Sequence, residues 1–185
     1  LSNISCEAVL PVTELKSTDE IERSIQKKYR KYLWSPFIKA AKEFSLVEDG
    51  DRIAVAISGG KDSLLLAKLL QELQRASRTE FELVFISMNP GFNSENLENL
   101  KKNLDHLRIP CEIYDDNIFE IAEKMAKDYP CYMCAKMRRG SLYTKAVSLG
   151  CNKLALGHHM DDVAETVLMS MFQMSKYETM LPRLK

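Results

Sequence analysis

The sequence predicts an α/β fold in which a parallel sheet carries helices on both faces, preceded by a helical extension at the N-terminus. The main observation is that short apolar segments alternate with segments of helical periodicity along residues 46–185. The apolar segments are also rich in β-branched residues, as strands buried on both faces are. Such alternation implies right-handed crossovers and therefore a parallel, Rossmann-like sheet.

The predicted elements of this domain start after a turn at Asp49-Gly50-Asp51. Strands are expected at 53–57, 81–88, 111–114 and 153–156. Helices are expected after the first strand as far as residue 76, from a Ser94 cap to 107, at 118–127, at 135–149, and from 157–162 to 172. Because ligands of such sheets bind at the carboxyl ends of the strands, the loops 58–63, 89–93 and 157–162 should face one crevice.

The first 45 residues form a separate region of the prediction. Residues 1–17 have no clear period, Asp19 to Leu33 is an amphipathic helix, and Ser35-Pro36 begins a second helix that ends near Phe44. Between Arg23 and Lys42 there are seven positive residues and no acid, interleaved with aromatic residues. The surface could bind RNA phosphates through Lys27, Lys28, Arg30 and Lys31 and stack on bases, or it could be a helical hairpin with core aromatics and solvated lysines.

Composition sets limits on the function. The chain has 185 residues, a formal net charge of zero, and ordinary hydrophobic and charged contents of 45% and 28%, so any basic surface must be local. No apolar run approaches the length of a membrane span, and the first residues are not a signal peptide. Five cysteines without an export signal indicate a reducing cytoplasm and metal or catalytic roles for thiols. The absence of an initiator Met predicts a trimmed or partly observed chain.

The segment Ser58-Gly59-Gly60-Lys61-Asp62-Ser63 joins the first strand to a Leu-rich helix. Such a loop aims backbone N–H groups and the positive end of a helix dipole at one point, which predicts a phosphate site. It lacks the G-x-x-x-x-G-K-[ST] pattern, in which a hydroxyl follows the lysine, and it is not G-x-G-x-x-G. The pattern S-G-G-x-D-S resembles the pyrophosphate loop of the PP-loop ATPase superfamily, which cleaves ATP between the α and β phosphates. The alternative is a tight Gly-Gly turn with an Asp–Ser helix cap.

Two further segments carry chemistry. Cys131-Tyr132-Met133-Cys134 places two thiols where they could bind one metal or cluster, or remain unliganded. Arg138 and Arg139 follow in the predicted first turn of a helix, where two positive charges oppose the dipole and favour an anionic partner over ordinary surface arginines. In Gly157-His158-His159-Met160-Asp161-Asp162, the glycine permits close approach to a ligand, and either aspartate can cap the helix or hold Mg²⁺. The adjacent histidines should point opposite ways and receive no ligand role.

Together these segments resemble the tRNA 2-thiocytidine synthetase (TtcA) family of PP-loop enzymes. The resemblance runs from about residue 20 to about 184 and rests on C-x-x-C-x-x-x-R-R-G-x-L-Y from Cys131 and on Gly157 to Asp162. It implies an adenine nucleotide α-hydrolase-like fold that binds ATP, Mg²⁺ and a [4Fe–4S] cluster. ATP would contact Ser58, Gly59, Gly60, Lys61, Asp62 and Ser63, with its adenosine near Met88 and Gly157, and Asp162 close by.

The resemblance also implies a reaction. The C2 oxygen of a tRNA cytidine would attack the α-phosphate, and a sulfur nucleophile would then displace AMP. Lys61, Asp62, Arg138 and Asp162 match catalytic positions. Cys131 and Cys134 match two of three cluster ligands. The third has no match here, so we expect a C-terminally truncated or incompletely observed chain.

The expected partners are tRNA, bound in part through Arg138 and Arg139, a sulfur donor (a protein persulfide or sulfide), and a second copy of the chain in a homodimer. A membrane is not expected. The alternatives are a related PP-loop enzyme that forms 2-thiouridine or lysidine, and a nucleotide- or RNA-binding module without turnover. Uridine-thiolating relatives usually carry extra cysteine pairs, and only Cys6 lies upstream here.

Overall fold

The computed structural model describes residues 15–89, 91, 93–116, 130–174 and 179, without the side chains of 130–136 and 173–174. Within them lies a four-stranded, fully parallel sheet in the order β3-β2-β1-β4. The strands are β1 (Arg52–Ala56), β2 (Glu82–Asn89), β3 (Cys111–Asp115) and β4 (Lys153–Ala155). The predicted α/β fold is therefore confirmed, with each strand within a residue or so of its expected place.

The strand order determines where a ligand can bind. From β1 the chain adds β2 and then β3 on one side, and it later returns to place β4 on the other side of β1. Val55 of β1 pairs with Phe85 of β2 and with Ala155 of β4. Because the direction of winding reverses between β1 and β4, the loops that follow these two strands border the switch-point crevice of the sheet.

Helices cover both faces of the sheet. The helices are α1 (Thr18–Gln26), α2 (Ser35–Glu43), α3 (Lys61–Ala76), α4 (Ser94–His106), α5 (Pro130–Ser148) and α6 (Met160–Met174). Val55 and Phe85 pack against Leu70 of α3 and Leu100 of α4. On the opposite face, Ala54 and Ile86 pack against Ala146 of α5. Both central strands are thus buried on both faces, as their apolar sequences predict.

The N-terminal extension differs from the single helix predicted for Asp19 to Leu33. Helix α1 ends at Gln26, and a π-helical turn at Arg30–Trp34 leads into α2. Ile25 and Trp34 both pack on Leu69 of α3. Nine residues of a straight α-helix would place these side chains on opposite sides, so a continuous helix could not bury both. The break in the helix resolves this conflict.

Two helix starts also differ from the sequence prediction. Asn93, not Ser94, is the cap of α4, because its side chain accepts a hydrogen bond of 2.8 Å from the N–H of Asn96. Helix α5 begins at Pro130 rather than near residue 135, since proline is tolerated in a first helical turn. The helix predicted at 118–127 lies outside the described residues.

Buried ion pairs join distant parts of the chain. The Lys68 ammonium on α3, 2% exposed, contacts Glu22 of α1 at 2.5 Å. Lys153 at the start of β4 contacts Asp51, just before β1, at 2.6 Å. The first pair holds the N-terminal extension against the domain, and the second fixes β4 beside β1. Among the described residues, none of the helices is both long enough and apolar enough to span a bilayer.

Candidate active site

The loop after β1 is held in shape by its own serines. The Ser63 hydroxyl donates to the Gly60 carbonyl at 2.9 Å and accepts from the Ser58 N–H at 3.1 Å. Ser63 is only 4% exposed, so its hydroxyl closes the turn. Gly59 has a φ of +84°, in the left-handed region that glycine adopts without strain. The loop is thus a tight turn whose side-chain hydrogen bonds are internal.

Helix α3 begins directly after this turn. Gly60 occupies the cap position and provides no side-chain hydrogen bond. The first-turn N–H groups of Lys61, Asp62 and Ser63 therefore have no side-chain cap, and they carry the positive end of the helix dipole. Such a terminus at the switch point of a parallel sheet suits a phosphate group.

The loop after β4 lies directly on this turn. A Cβ at Gly157 would stand 3.0 Å from both Cα and N of Ser63 and 3.2 Å from the carbonyl carbon of Asp62. Real Cβ atoms essentially never approach backbone closer than this, so the contact depends on glycine. The predicted meeting of loops 58–63 and 157–162 is confirmed. Segment 89–93 is only partly described, and its place in the crevice stays a prediction.

Charged side chains from the two loops come together at this contact. Lys61 pairs with Asp62 at 2.8 Å. His159 Nε2 lies 3.6 Å from an Asp62 oxygen, and His159 Nδ1 lies 3.3 Å from an Asp162 oxygen. His158 Nδ1 is 3.8 Å from the same Asp162 oxygen. His159 thus stands between two carboxylates that lie 100 positions apart in the chain.

Hydrogen bonds favour the charged forms of two side chains at this contact, Lys61 and Asp162. The His159 backbone N–H donates to Asp162 at 2.7 Å, and this bond lowers the pKa of the Asp162 carboxyl. The hydrogen bond to Asp62 raises the pKa of Lys61. Both effects favour the charged forms, so Lys61 and Asp162 stay ionised at neutral pH.

His159 is the residue that the sequence prediction missed. Adjacent histidines gave no reason to assign either one, since only the tertiary contact between the loops shows which of them faces the carboxylates. The only local signal was the position of His159 three residues before Asp162, at a helix start. Among the residues that the structure describes, no three His, Cys, Asp or Glu side chains could by themselves hold a metal ion.

The remaining predicted residues lie outside this contact. Met88 is half-buried near the end of β2, paired with Tyr114. Arg138 is half-buried and Arg139 exposed, and both lie in the third turn of α5, not the first. The predicted conflict with the helix dipole was therefore wrong, because α5 starts at Pro130.

The cysteines divide into two groups. Cys131 and Cys134 lie three positions apart on α5, and their side chains are outside the described part. Cys151 is 9% exposed and packs in the core with Ala54 and Ile86. Burial raises the pKa of the Cys111 thiol to about 12. The Cys111 thiol is therefore poorly suited to bind a cluster as a thiolate, and Cys151 is enclosed by core side chains.

Comparison with known proteins agrees with this geometry. Residues 20–181 match the PP-loop domain family. The chain is 40% identical over 144 residues to a tRNA-cytidine(32) 2-sulfurtransferase of Pelobacter propionicus, covering 77% of this chain and 54% of that protein. It is 41% identical over 151 residues to the protein of the same name in Geobacter sulfurreducens, covering 79% and 58%.

A solved structure resembles the fold. The U34-tRNA thiolase NcsA from Methanococcus maripaludis, described with its [4Fe–4S] cluster, aligns with a TM-score of 0.61 and 27% identity, covering 77% of this chain and 51% of that one. The chain spans just over half the length of these relatives. The similarity to 2-sulfurtransferases confirms the predicted resemblance to tRNA 2-thiocytidine synthetases. Because the family match covers most of its residues and the serine–glycine loop has the expected form, the chain belongs to the PP-loop family.

Proposed function

We propose that this chain is the ATP-binding part of a tRNA sulfurtransferase that adenylates a cytidine C2 oxygen and replaces it with sulfur. The observation that carries the proposal is the contact between the loops after β1 and β4. It brings Asp62, His159 and Asp162 together at the uncapped start of α3. The similarity to curated cytidine 2-sulfurtransferases supports the choice of substrate.

The chemistry follows from these positions. ATP phosphates bind at the Ser58–Ser63 turn, where the first-turn N–H groups of α3 and the Lys61 ammonium neutralise their charge. The C2 oxygen attacks the α-phosphorus, the bond to the oxygen bridging the α and β phosphates breaks, and pyrophosphate leaves. A sulfur nucleophile then attacks C2, the C2–O bond breaks, and AMP leaves with that oxygen.

Asp62 and Asp162 are the proposed residues for Mg²⁺. Their carboxylates come from two loops, stay partly exposed, and provide the oxygen ligands that this ion prefers. Bound with ATP, the ion would neutralise phosphate charge. Phosphate oxygens and water would complete the ligand set. His159, which lies between the two carboxylates, is proposed to position them.

Cys131 and Cys134 are the proposed cluster ligands of this chain. They lie three positions apart on α5, a spacing at which two thiols can share one metal or cluster. A bound cluster would supply a site that carries sulfur. A third ligand would come from outside the described cysteines, because Cys151 is buried in the core and burial raises the pKa of the half-buried Cys111 thiol.

The RNA partner is proposed to contact two basic surfaces. One comprises Lys27, Lys28, Arg30 and Lys31, which are all exposed, and the other comprises Arg138 and Arg139 on α5. Arg138 is also proposed to approach the reacting phosphate. A persulfide or sulfide donor and a homodimer complete the proposed assembly in the cytoplasm.

Uridine thiolation is the second candidate, favoured by the fold similarity to a U34-tRNA thiolase. The higher identity to the cytidine enzymes places it second.

The test measures pyrophosphate release with ATP and tRNA, using Asp62→Asn as the inactive variant and Lys102→Gln on the exposed face of α4 as its control. We expect release by the wild type and by Lys102→Gln, and a loss of roughly a hundredfold or more in Asp62→Asn. Mass analysis of tRNA nucleosides then identifies the product. Release that is unaffected in Asp62→Asn would contradict the site, and 2-thiouridine in place of 2-thiocytidine would favour the second candidate.

A further inference from the structure

A groove between the N-terminal extension and α3 is not used by the mechanism above. Its volume is about 260 Å³. Along α3 it extends from Lys61 in the phosphate loop to Lys68, two turns later. Ile25 of α1 and Tyr29 and Leu33 at the helix break form its other wall. The groove therefore opens beside the candidate active site.

The interior of the groove has little free hydrogen-bonding capacity. The Ser24 hydroxyl donates to the Ile21 carbonyl at 2.7 Å. Lys68 donates to Glu22, Gln71 and the Leu107 carbonyl at 2.5, 2.8 and 3.1 Å, which uses all three of its protons. A ligand inside would thus meet apolar walls and the Tyr29 ring, with the exposed Lys61 at one end. Its volume is below the roughly 300–1,000 Å³ of typical small-molecule sites, so it suits a single ring system.

The rim of the groove is strongly positive. Residues 27–32 are three lysines, one arginine and two tyrosines, and all six are exposed. Lys28 and Lys31 each lie over a tyrosine ring, at 5.2 Å from Tyr29 and 5.7 Å from Tyr32. The nearest preceding acid, Glu22, is paired with Lys68 and Arg75. A charge of this kind complements a phosphate backbone, and apolar slots with aromatic rings bind unstacked bases.

We propose that this groove holds an unpaired base of the RNA substrate, next to the nucleotide that is modified, with Tyr29 as the stacking residue. The inference rests on the proposed function, because it assumes an RNA substrate. Since Ser24 and Lys68 in the groove interior already have hydrogen-bond partners, the base is held mainly by stacking and shape. Any of the four bases should therefore be accepted, and sequence specificity must come from elsewhere.

The experiment uses the 185-residue chain and a short single-stranded RNA that carries fluorescein and one 5-iodouridine. Fluorescence anisotropy measures RNA affinity without ATP, and irradiation followed by mass spectrometry locates the cross-link. The variants are Tyr29→Ala, Tyr29→Phe and Ser24→Tyr, which fills the groove. Tyr32→Ala is the matched control, since Tyr32 has the same type of lysine neighbour but does not line the groove.

We expect a cross-link at Tyr29, a loss of affinity of roughly tenfold in Tyr29→Ala and in Ser24→Tyr, and near-normal affinity in Tyr29→Phe and Tyr32→Ala. Equal losses in Tyr29→Ala and Tyr32→Ala would overturn the inference, because the tyrosines would then act as an open surface. If ATP affinity falls as far as RNA affinity in Tyr29→Ala, the groove holds adenine instead. Normal pyrophosphate release without a Tyr29 effect would reject the groove and leave the proposed function intact.

Discussion

At the scale of single residues, the candidate site depends on two positions in the loop after β4. Gly157 allows backbone to lie on backbone, and His159 stands between two carboxylates. Neither of these contacts can be predicted from the local sequence around Gly157 or His159. Both follow from the pairing of β4 with β1, which brings residues about 100 positions apart into one crevice.

Replacing Gly157 with alanine should separate the two loops. The added Cβ would lie 3.0 Å from Ser63 backbone, which cannot give way as a side chain can. We expect ATP affinity to fall by roughly a factor of ten or more, measured by calorimetry.

Gly140→Ala is the control, because nothing lies within 4 Å of its Cβ position in α5. The control should raise stability by roughly 0.5–1 kcal/mol, since glycine is unfavourable inside a helix. Equal ATP affinity in both variants would refute the close contact.

Replacing His159 with alanine should leave Asp62 and Asp162 without a group between them. We expect tRNA-dependent pyrophosphate release to slow by roughly 10- to 100-fold, because misplaced carboxylates lose their alignment with the phosphates. His158→Ala tests the neighbouring histidine, whose distance of 3.8 Å to Asp162 indicates a weaker contact. A larger effect in His158→Ala than in His159→Ala would reverse the assignment.

At the scale of elements, the sequence predicted the helix and strand boundaries that depend on interactions between neighbouring residues. The strand, turn and helix around Ser58–Ser63 were predictable because burial, glycine conformation and helix capping act within a few residues. The break after Gln26 was not, since it arises from the need of Ile25 and Trp34 to reach Leu69 together. The start of α5 at Pro130 was missed although proline is tolerated in a first helical turn, and the prediction for Arg138 and Arg139 failed with it.

The ion pair that fixes β4 beside β1 should make stability depend on pH. Burial alone would raise the pKa of Asp51, but hydrogen bonds from Lys153, the Glu48 N–H and Asn152 outweigh it and lower that pKa. A carboxyl with a lowered pKa adds stability above its ordinary value near 3.8 and loses it as the pH falls through its folded-state pKa. Burial opposes the charge of Lys153, yet Asp51 and Glu48 raise its pKa above 10.5, so its contribution persists until the pH rises through that higher value.

We therefore expect Asp51→Asn to lose roughly 2 kcal/mol of unfolding free energy at neutral pH, in urea titrations followed by circular dichroism. The difference from wild type should shrink once the pH falls below the lowered pKa. Arg52→Gln is the control, because its pair with Glu82 is largely exposed and should contribute less than about 1 kcal/mol. A difference between Asp51→Asn and wild type that stays constant into acid would contradict the role of this carboxylate.

At the scale of the whole molecule, a chain of zero net charge is proposed to bind a polyanion. The charge is distributed unevenly, with four exposed cations within residues 27–31. RNA affinity should therefore fall with salt, and replacing Lys27, Lys28 and Lys31 with glutamine should reduce the slope of log affinity against log salt by about 0.7 per residue for a single strand. Lys101→Gln on α4 should leave the slope unchanged. An unchanged slope in the triple variant would remove this surface from the RNA path.

The placement of β4 has a consequence for the order of folding. The backbone N–H of Arg52 donates to the side chain of Asn152, a contact between residues separated by 100 positions. Contacts of such long sequence separation form late, because a long loop must close before they add stability. During synthesis, β1, β2 and β3 can pair while α5 is still being made, but the nucleotide crevice cannot close until β4 leaves the ribosome. The helix that carries Cys131 and Cys134 is thus synthesised before this crevice can close.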